Sequence, residues 1–168
     1  MVDLYSMVCR YDAEKNRWNG VKWITHEAVT GSFAYMSTGS VMLTACAMAG
    51  AVLPDWIEGD PLAAMDYKTW RGRHRRFSHW PLLYVFLLFL LYTAWPWNGS
   101  DFQQFFSWVF IGALCHIAED SVCGKVPLLT PGSRVGWKLF TVGSFTEYIL
   151  GVLLVLLIFT AGALLPAM

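Results

Sequence analysis

Trp80–Trp97, WPLLYVFLLFLLYTAWPW, runs for eighteen residues without a charge and carries tryptophan at both ends. At ~1.5 Å per residue a helix of that length approaches the roughly 30 Å thickness of bilayer hydrocarbon, and terminal aromatics suit the headgroup layer. Two further stretches, Phe102–Ala118 and Tyr148–Leu165, are also uncharged and about as long. Across the 168 residues the chain is 56% hydrophobic and only 14% charged, which excludes an ordinary soluble domain. The expected fold is all-α: a polytopic membrane bundle of three spanning helices plus a softer N-terminal apolar segment, Gly31–Leu53.

That segment carries Ser37-Thr38-Gly39-Ser40 at its middle, a weak helix-forming run suited to a turn. It is either a fourth span or a hairpin. The twelve lysines and arginines fall in three blocks, at 10–22, 68–76 and 125–138. A single crossing divides them between two faces, whereas a hairpin turning at Thr38-Gly39 puts all twelve on one, which fits the positive-inside rule better. Its arms, of about twelve residues each, are then too short to span and form a re-entrant pair. Residues 1–25 read as a polar arm and 26–168 as one membrane-embedded domain. The arm contains no signal-peptide core, so the first apolar segment is expected to stay as an anchor. The four cysteines form no CxxC pair and give no sign of a disulfide framework.

All four histidines lie beside the ends of apolar segments, near carboxylates or arginines. Imidazole and carboxylate are common zinc ligands, and ionisable residues at hydrocarbon boundaries point to function. His116 and Asp120, in CHIAEDSVCGKVPLLTP, are four residues apart, hence on one helical face; Glu119 is expected to point elsewhere. The same pair also suits a hydrogen-bonded helix end. His74 and His79, in RGRHRRFSHWP, do not share a face and need a bend to meet at one centre. Alone they read equally as interfacial anchors, but Arg71, Arg73, Arg75 and Arg76 offer the donors that a phosphoester substrate requires. Asp55 follows Pro54 in AVLPDWIEGD, where proline is expected to end the helix and leave a boundary carboxylate, with Glu58 and Asp60 close by. Glu147 reads as an acidic residue near a helix N-terminus.

In order, His26, LPD, HRRFSH and HIAED with a downstream PLLTP resemble the bacterial membrane-bound metal-dependent hydrolase family often called YdjM-like. The resemblance covers about residues 26–147. Residue type and spacing match at His74, His79, His116 and Asp120. At the LPD motif many relatives have a second aspartate where this chain has Ile57, with Glu58 one place later. Ser78 stands for a common threonine, and Trp80 for a small hydroxyl residue. The family is similar to zinc-dependent phospholipase C and single-strand nucleases, so the resemblance implies phosphoester hydrolysis at a multi-zinc site in the bacterial inner membrane.

The expected metal ligands are thus His26, Asp55, His74, His79, His116 and Asp120, with zinc as the ion. Asp55 or Glu58 orients the attacking water, and Arg71, Arg73, Arg75 and Arg76 hold phosphate, most economically that of a membrane lipid. The alternative is a non-catalytic membrane scaffold in which a structural metal locks helix ends. Zero net charge and the lack of an extended basic groove give no support for nucleic acid as a partner.

Overall fold

The computed structural model describes residues 21–59, 75–94, 99–140 and 144–164. Among them are five α-helices and no strand: α1 (Val21–Thr38), α2 (Val41–Glu58), α3 (Pro81–Thr93), α4 (Asp101–Cys123) and α5 (Phe145–Leu164). Three of them, α2, α4 and α5, are long and apolar enough to cross a membrane.

The N-terminal apolar segment is a helical hairpin. Gly39 adopts φ +63° and its N–H closes on the Tyr35 carbonyl at 2.8 Å, the left-handed stop that glycine takes without a Cβ penalty. Ser40 then caps α2 by accepting from the Leu43 N–H at 3.3 Å. Both arms exceed the expected twelve residues. Each has eighteen, or about 27 Å at ~1.5 Å per residue. The first arm extends back through His26, because the polar side chains His26 and Thr30 are buried inside the bundle rather than excluded from it. The second runs straight through Pro54, which was expected to end it. Pro54 is buried, where neighbouring groups can accommodate the missing N–H, and the helix stops only at Gly59, φ +77°. Asp55 and Glu58 are therefore helical residues three apart on one side of α2.

Pro81 occupies the first turn of α3, where its missing N–H costs nothing, and the described helix ends at Thr93, short of the apolar run that contains it. Ser100 caps α4, accepting from the Gln103 N–H, while the Gln103 side chain accepts from Gly99 N–H at 2.7 Å and donates to the Leu91 carbonyl at 3.2 Å. These bonds tie the start of α4 to the end of α3. At the other end of α4, Gly124, Trp137 and Leu139 donate their N–H groups to the Asp120, Ser121 and Val122 carbonyls at 2.8–2.9 Å. The 124–140 loop, pinned across itself by a Val126–Val135 bridge, thereby satisfies carbonyls that a helix end leaves bare.

The central pair is α2 against α4. Ala47, Ala51 and Ala113 have no exposed surface, and the backbones touch at two glycines. A Cβ on Gly50 would lie 2.0 Å from the Val109 carbonyl oxygen, and one on Gly112 would lie 2.0 Å from that of Ala47. Small residues are what permit such an approach between membrane helices. Tyr84, Ala113, Ile117 and Val126 form a core beside this contact, between α3, α4 and the loop. Helix α5 lies on α1 and turns most of its apolar surface outward, as lipid contact requires.

Candidate metal centre

The start of α1, the end of α2, the segment before α3 and the end of α4 meet at one end of the bundle. They bring together His26, Asp55, His79, His116 and Asp120. Two overlapping groups could hold a metal ion: His26, His116 and Asp120, and Asp55, His79 and His116. His79 and His116 have no exposed surface and Asp120 has 2%.

Four atoms face inward. His79 Nε2 lies 3.3 Å from Asp55 Oδ1, 3.4 Å from Asp120 Oδ2 and 3.3 Å from His116 Nε2. His116 Nε2 lies 3.8 Å from Asp55 Oδ1 and 3.7 Å from Asp120 Oδ2. Donors held ~2.0–2.1 Å from a tetrahedral ion stand about 3.3–3.4 Å apart, so the Asp55, His79 and His116 donors, 3.3–3.8 Å from one another, suit zinc with shifts of a few tenths of an ångström.

Three of these residues have their other polar atom tied down. Asp55 Oδ2 accepts from the Trp23 indole at 3.2 Å, and Asp120 Oδ1 accepts from Arg75 Nη2 at 2.7 Å. His79 Nδ1 lies 3.1 Å from Glu58 Oε1, a carboxylate that also takes the Arg75 N–H at 2.9 Å and the Ser78 hydroxyl. A carboxylate on one imidazole nitrogen orients the ring and leaves the other nitrogen as ligand. His26 repeats the device: Nδ1 lies 2.7 Å from Glu119 Oε2, and Nε2 faces Asp120 Oδ1 at 3.7 Å. In contrast, Asp120 Oδ2 is buried without a hydrogen-bond partner among the described residues. A bare carboxylate oxygen in a buried site is costly unless a cation or donor meets it.

Charge points the same way. Asp55, Glu58, Glu119 and Asp120 converge, Arg75 pairing with Asp120 and the histidines with the rest. Burial works against a charge on His79, yet Asp120, Asp55 and Glu58 outweigh it and push its pKa up to about 10. Without an ion, a proton on His79 takes over part of the neutralisation.

Glu119 corrects the expectation that it points away. Residues three apart on a helix are also neighbours: His116 and Asp120 face the centre, while Glu119 faces His26 and Thr30 of α1. Glu58, one place later than in many relatives, is the carboxylate turned to His79, while Ile57 is 54% exposed. Trp23 had no signal in the sequence beyond its indole N–H.

The arginines divide. Arg75 is engaged with Asp120, adopts φ +58°, and leaves no room for a side chain at Gly124, where a Cβ would lie 2.0 Å from its Nη1. Burial opposes its charge, but Asp120 raises its pKa above the ordinary value. Arg76 is exposed. His74, Arg71 and Arg73 lie outside the described residues. Glu147, at the start of α5, is buried and lines a cavity that also reaches His26, Glu119 and Asp120.

The model of the YdjM inner membrane protein family matches residues 22–167. The chain belongs to this family. It is a multi-pass inner membrane protein, and the match takes in every described helix except the first residue of α1. No curated protein and no solved structure matches this YdjM-family chain.

Proposed function

We propose that this YdjM-family protein is a zinc-dependent phosphoester hydrolase working at the cytoplasmic face of the inner membrane. The observation that carries the reading is the convergence of Asp55 Oδ1 and Asp120 Oδ2 on His79 Nε2 and His116 Nε2, each 3.3–3.8 Å from both ring nitrogens, beside a cavity. The positive-inside rule supports the cytoplasmic side, because Arg75 and Arg76 before α3 and Lys125, Arg134 and Lys138 after α4 lie in the connections at the end that carries the centre.

Asp55, His79, His116 and Asp120 would hold the ion. Bound there, zinc supplies Lewis acidity toward a phosphoryl oxygen and toward water. Glu58 holds the His79 ring, and Trp23 and Arg75 hold the outer oxygens of Asp55 and Asp120. The His26–Glu119 pair, on the cavity side, accepts the proton of the attacking water as its oxygen bonds to phosphorus. The ester P–O bond breaks, and that proton passes to the leaving alkoxide, giving an alcohol and a phosphate product. Arg76, exposed next to Arg75, would meet phosphate oxygens, with Arg71 and Arg73 of the same basic sequence as further donors.

A second reading has its own support: four protein ligands complete a tetrahedron, the usual form of a structural site, which would make the ion a staple for a non-catalytic scaffold. Purified full-length protein separates the two. Metal analysis should give bound zinc, and hydrolysis of bis(p-nitrophenyl) phosphate should disappear with chelation and return with zinc. Joint replacement His116→Ala and Asp120→Ala should abolish hydrolysis while the helical fold persists. Absence of bound metal after zinc-replete growth, or chelator-insensitive hydrolysis, would refute the proposal. Loss of assembly in a protein with no hydrolytic activity would establish the staple.

A further inference from the structure

We infer that the cavity between α1 and α5 receives one hydrocarbon chain of a bilayer lipid, with the lipid head directed at His26 and Asp120. This deepens the hydrolase reading and rests on it only for the role of that lipid as substrate.

The cavity is about 360 Å³ and has two unlike ends. At one end lie His26, Glu119, Asp120 and Glu147. His26 and Asp120 belong both to this end and to the metal centre, so a head seated here lies against the ion's donors. Away from it the walls are Val29 on α1 and Leu150, Leu153, Leu154 and Leu157 on α5. From Leu150 to Leu157 the apolar wall covers about two helical turns, or roughly 10 Å. Polar head and apolar track are thus continuous, which matches an amphiphile rather than a free phosphate or a wholly apolar guest.

The helical register of α5 makes this groove a distinct face. At ~100° per residue, Leu150, Leu153, Leu154 and Leu157 fall within a sector of about 100°, whereas Val152, Leu156 and Phe159 lie on the opposite side. Gly151 and Gly162 lie on a third line, where α5 meets α1. A Cβ on Gly151 would come 2.9 Å from Thr25 Cγ2, and one on Gly162 would come 2.2 Å from Met36 Cε. The glycines set the two helices together along one edge while the leucines stand clear beside it. Helix α5 is one of the candidate spans, so the mouth of the groove opens at acyl-chain depth, and the surrounding solvent there is lipid tail.

The test uses the full chain, zinc-loaded and reconstituted in phosphatidylethanolamine–phosphatidylglycerol bilayers containing a phosphatidylglycerol with a diazirine in mid-chain. After irradiation, labelled positions are mapped by mass spectrometry. Val152, Leu156 and Phe159 face bulk lipid and take a background level of label, which labelling at Leu150, Leu154, Leu157 and Val29 should exceed. Leu154→Trp should remove most of the groove labelling, and Val29→Phe, from the opposite wall, should do the same; Leu156→Trp should leave it unchanged. Unchanged zinc content in each variant certifies the fold. Equal labelling of both faces of α5, or indifference to both groove variants, would overturn the inference. So would protein–protein cross-links in place of lipid, which would assign the groove to a second copy. Labelling is read without turnover. Groove labelling in a protein that hydrolyses nothing keeps the lipid site and rejects the hydrolase, and zinc-dependent hydrolysis without preferential labelling does the reverse.

Discussion

Replacing Gly50 with alanine tests whether the contact between α2 and α4 sets the geometry of the metal centre. The new Cβ would stand 2.0 Å from the Val109 carbonyl oxygen. A close C–H···O contact needs about 3.3–3.6 Å, so the helices must part by about 1.3–1.6 Å at that level. Asp55 rides on α2 five residues beyond Gly50, and His116 and Asp120 ride on α4 seven and eleven residues beyond Val109. The separation of His116 Nε2 from Asp55 Oδ1, now 3.8 Å, would stretch by a comparable amount, past what one tetrahedral ion spans. Overpacking of this kind typically costs ~1–3 kcal/mol of stability. Loss of one ligand's alignment should weaken zinc binding at least about tenfold, equivalent to ~1.4 kcal/mol. Competition with a chromophoric chelator reads that affinity, and Gly132→Ala, where no atom lies within 4 Å of the added Cβ, is the matched control. Wild-type affinity in Gly50→Ala, with the control also unchanged, would refute the link between helix spacing and ligand spacing.

Other consequences follow from the same centre. His79 has its pKa raised from 6.5 to about 10 in the metal-free protein, so the stabilisation from its protonation is complete below pH 6.5 and is lost as pH rises through about 10. Thermal melts of chelator-stripped protein should therefore fall across that window, whereas zinc affinity should climb with pH as the ion displaces that proton. Glu58→Gln and Glu119→Gln keep side-chain size but remove the charge that orients His79 and His26. Orienting partners of this kind are typically worth ~10–100-fold in metal affinity or activity, so Glu58→Gln should lower zinc affinity in that range and Glu119→Gln should lower hydrolysis more than zinc content. Gly39→Ala places a Cβ in open space but at φ +63°, so its cost is one of backbone conformation, roughly 1–2 kcal/mol, read as a lower melting temperature with unchanged zinc stoichiometry.

The turn of the hairpin was legible because Thr38-Gly39-Ser40 supplies a left-handed stop and a cap in adjacent positions. Its arm lengths were not, since apolarity marks lipid-facing residues and α1 buries His26 and Thr30 against protein instead. Proline at 54 reads as a terminator in isolation, yet the helix continues because Pro54 is buried in the bundle. At the centre, the i,i+4 spacing of His116 and Asp120 identified their common face, but the partner of each outer atom came from another element. Trp23 reaches Asp55 across 32 residues and Glu119 reaches His26 across 93. No local pattern encodes such pairings. They depend on how closely α1, α2 and α4 pack, which Gly50 and Gly112 govern through the residues they face rather than through any motif.

The short Gly39–Ser40 turn also bears on how the chain enters the bilayer. The connections at the end away from the histidines are this turn and residues 94–100, and neither contains a lysine, an arginine or a carboxylate. Insertion of α1 with α2, and of α3 with α4, then moves no formal charge of either connection across the membrane. Each pair can enter as a loop, tip first, with Asp101, the first residue of α4, as the one formal charge beside either tip. The acidic and basic side chains that build the centre lie at the opposite end of these helices and need not follow the tips across.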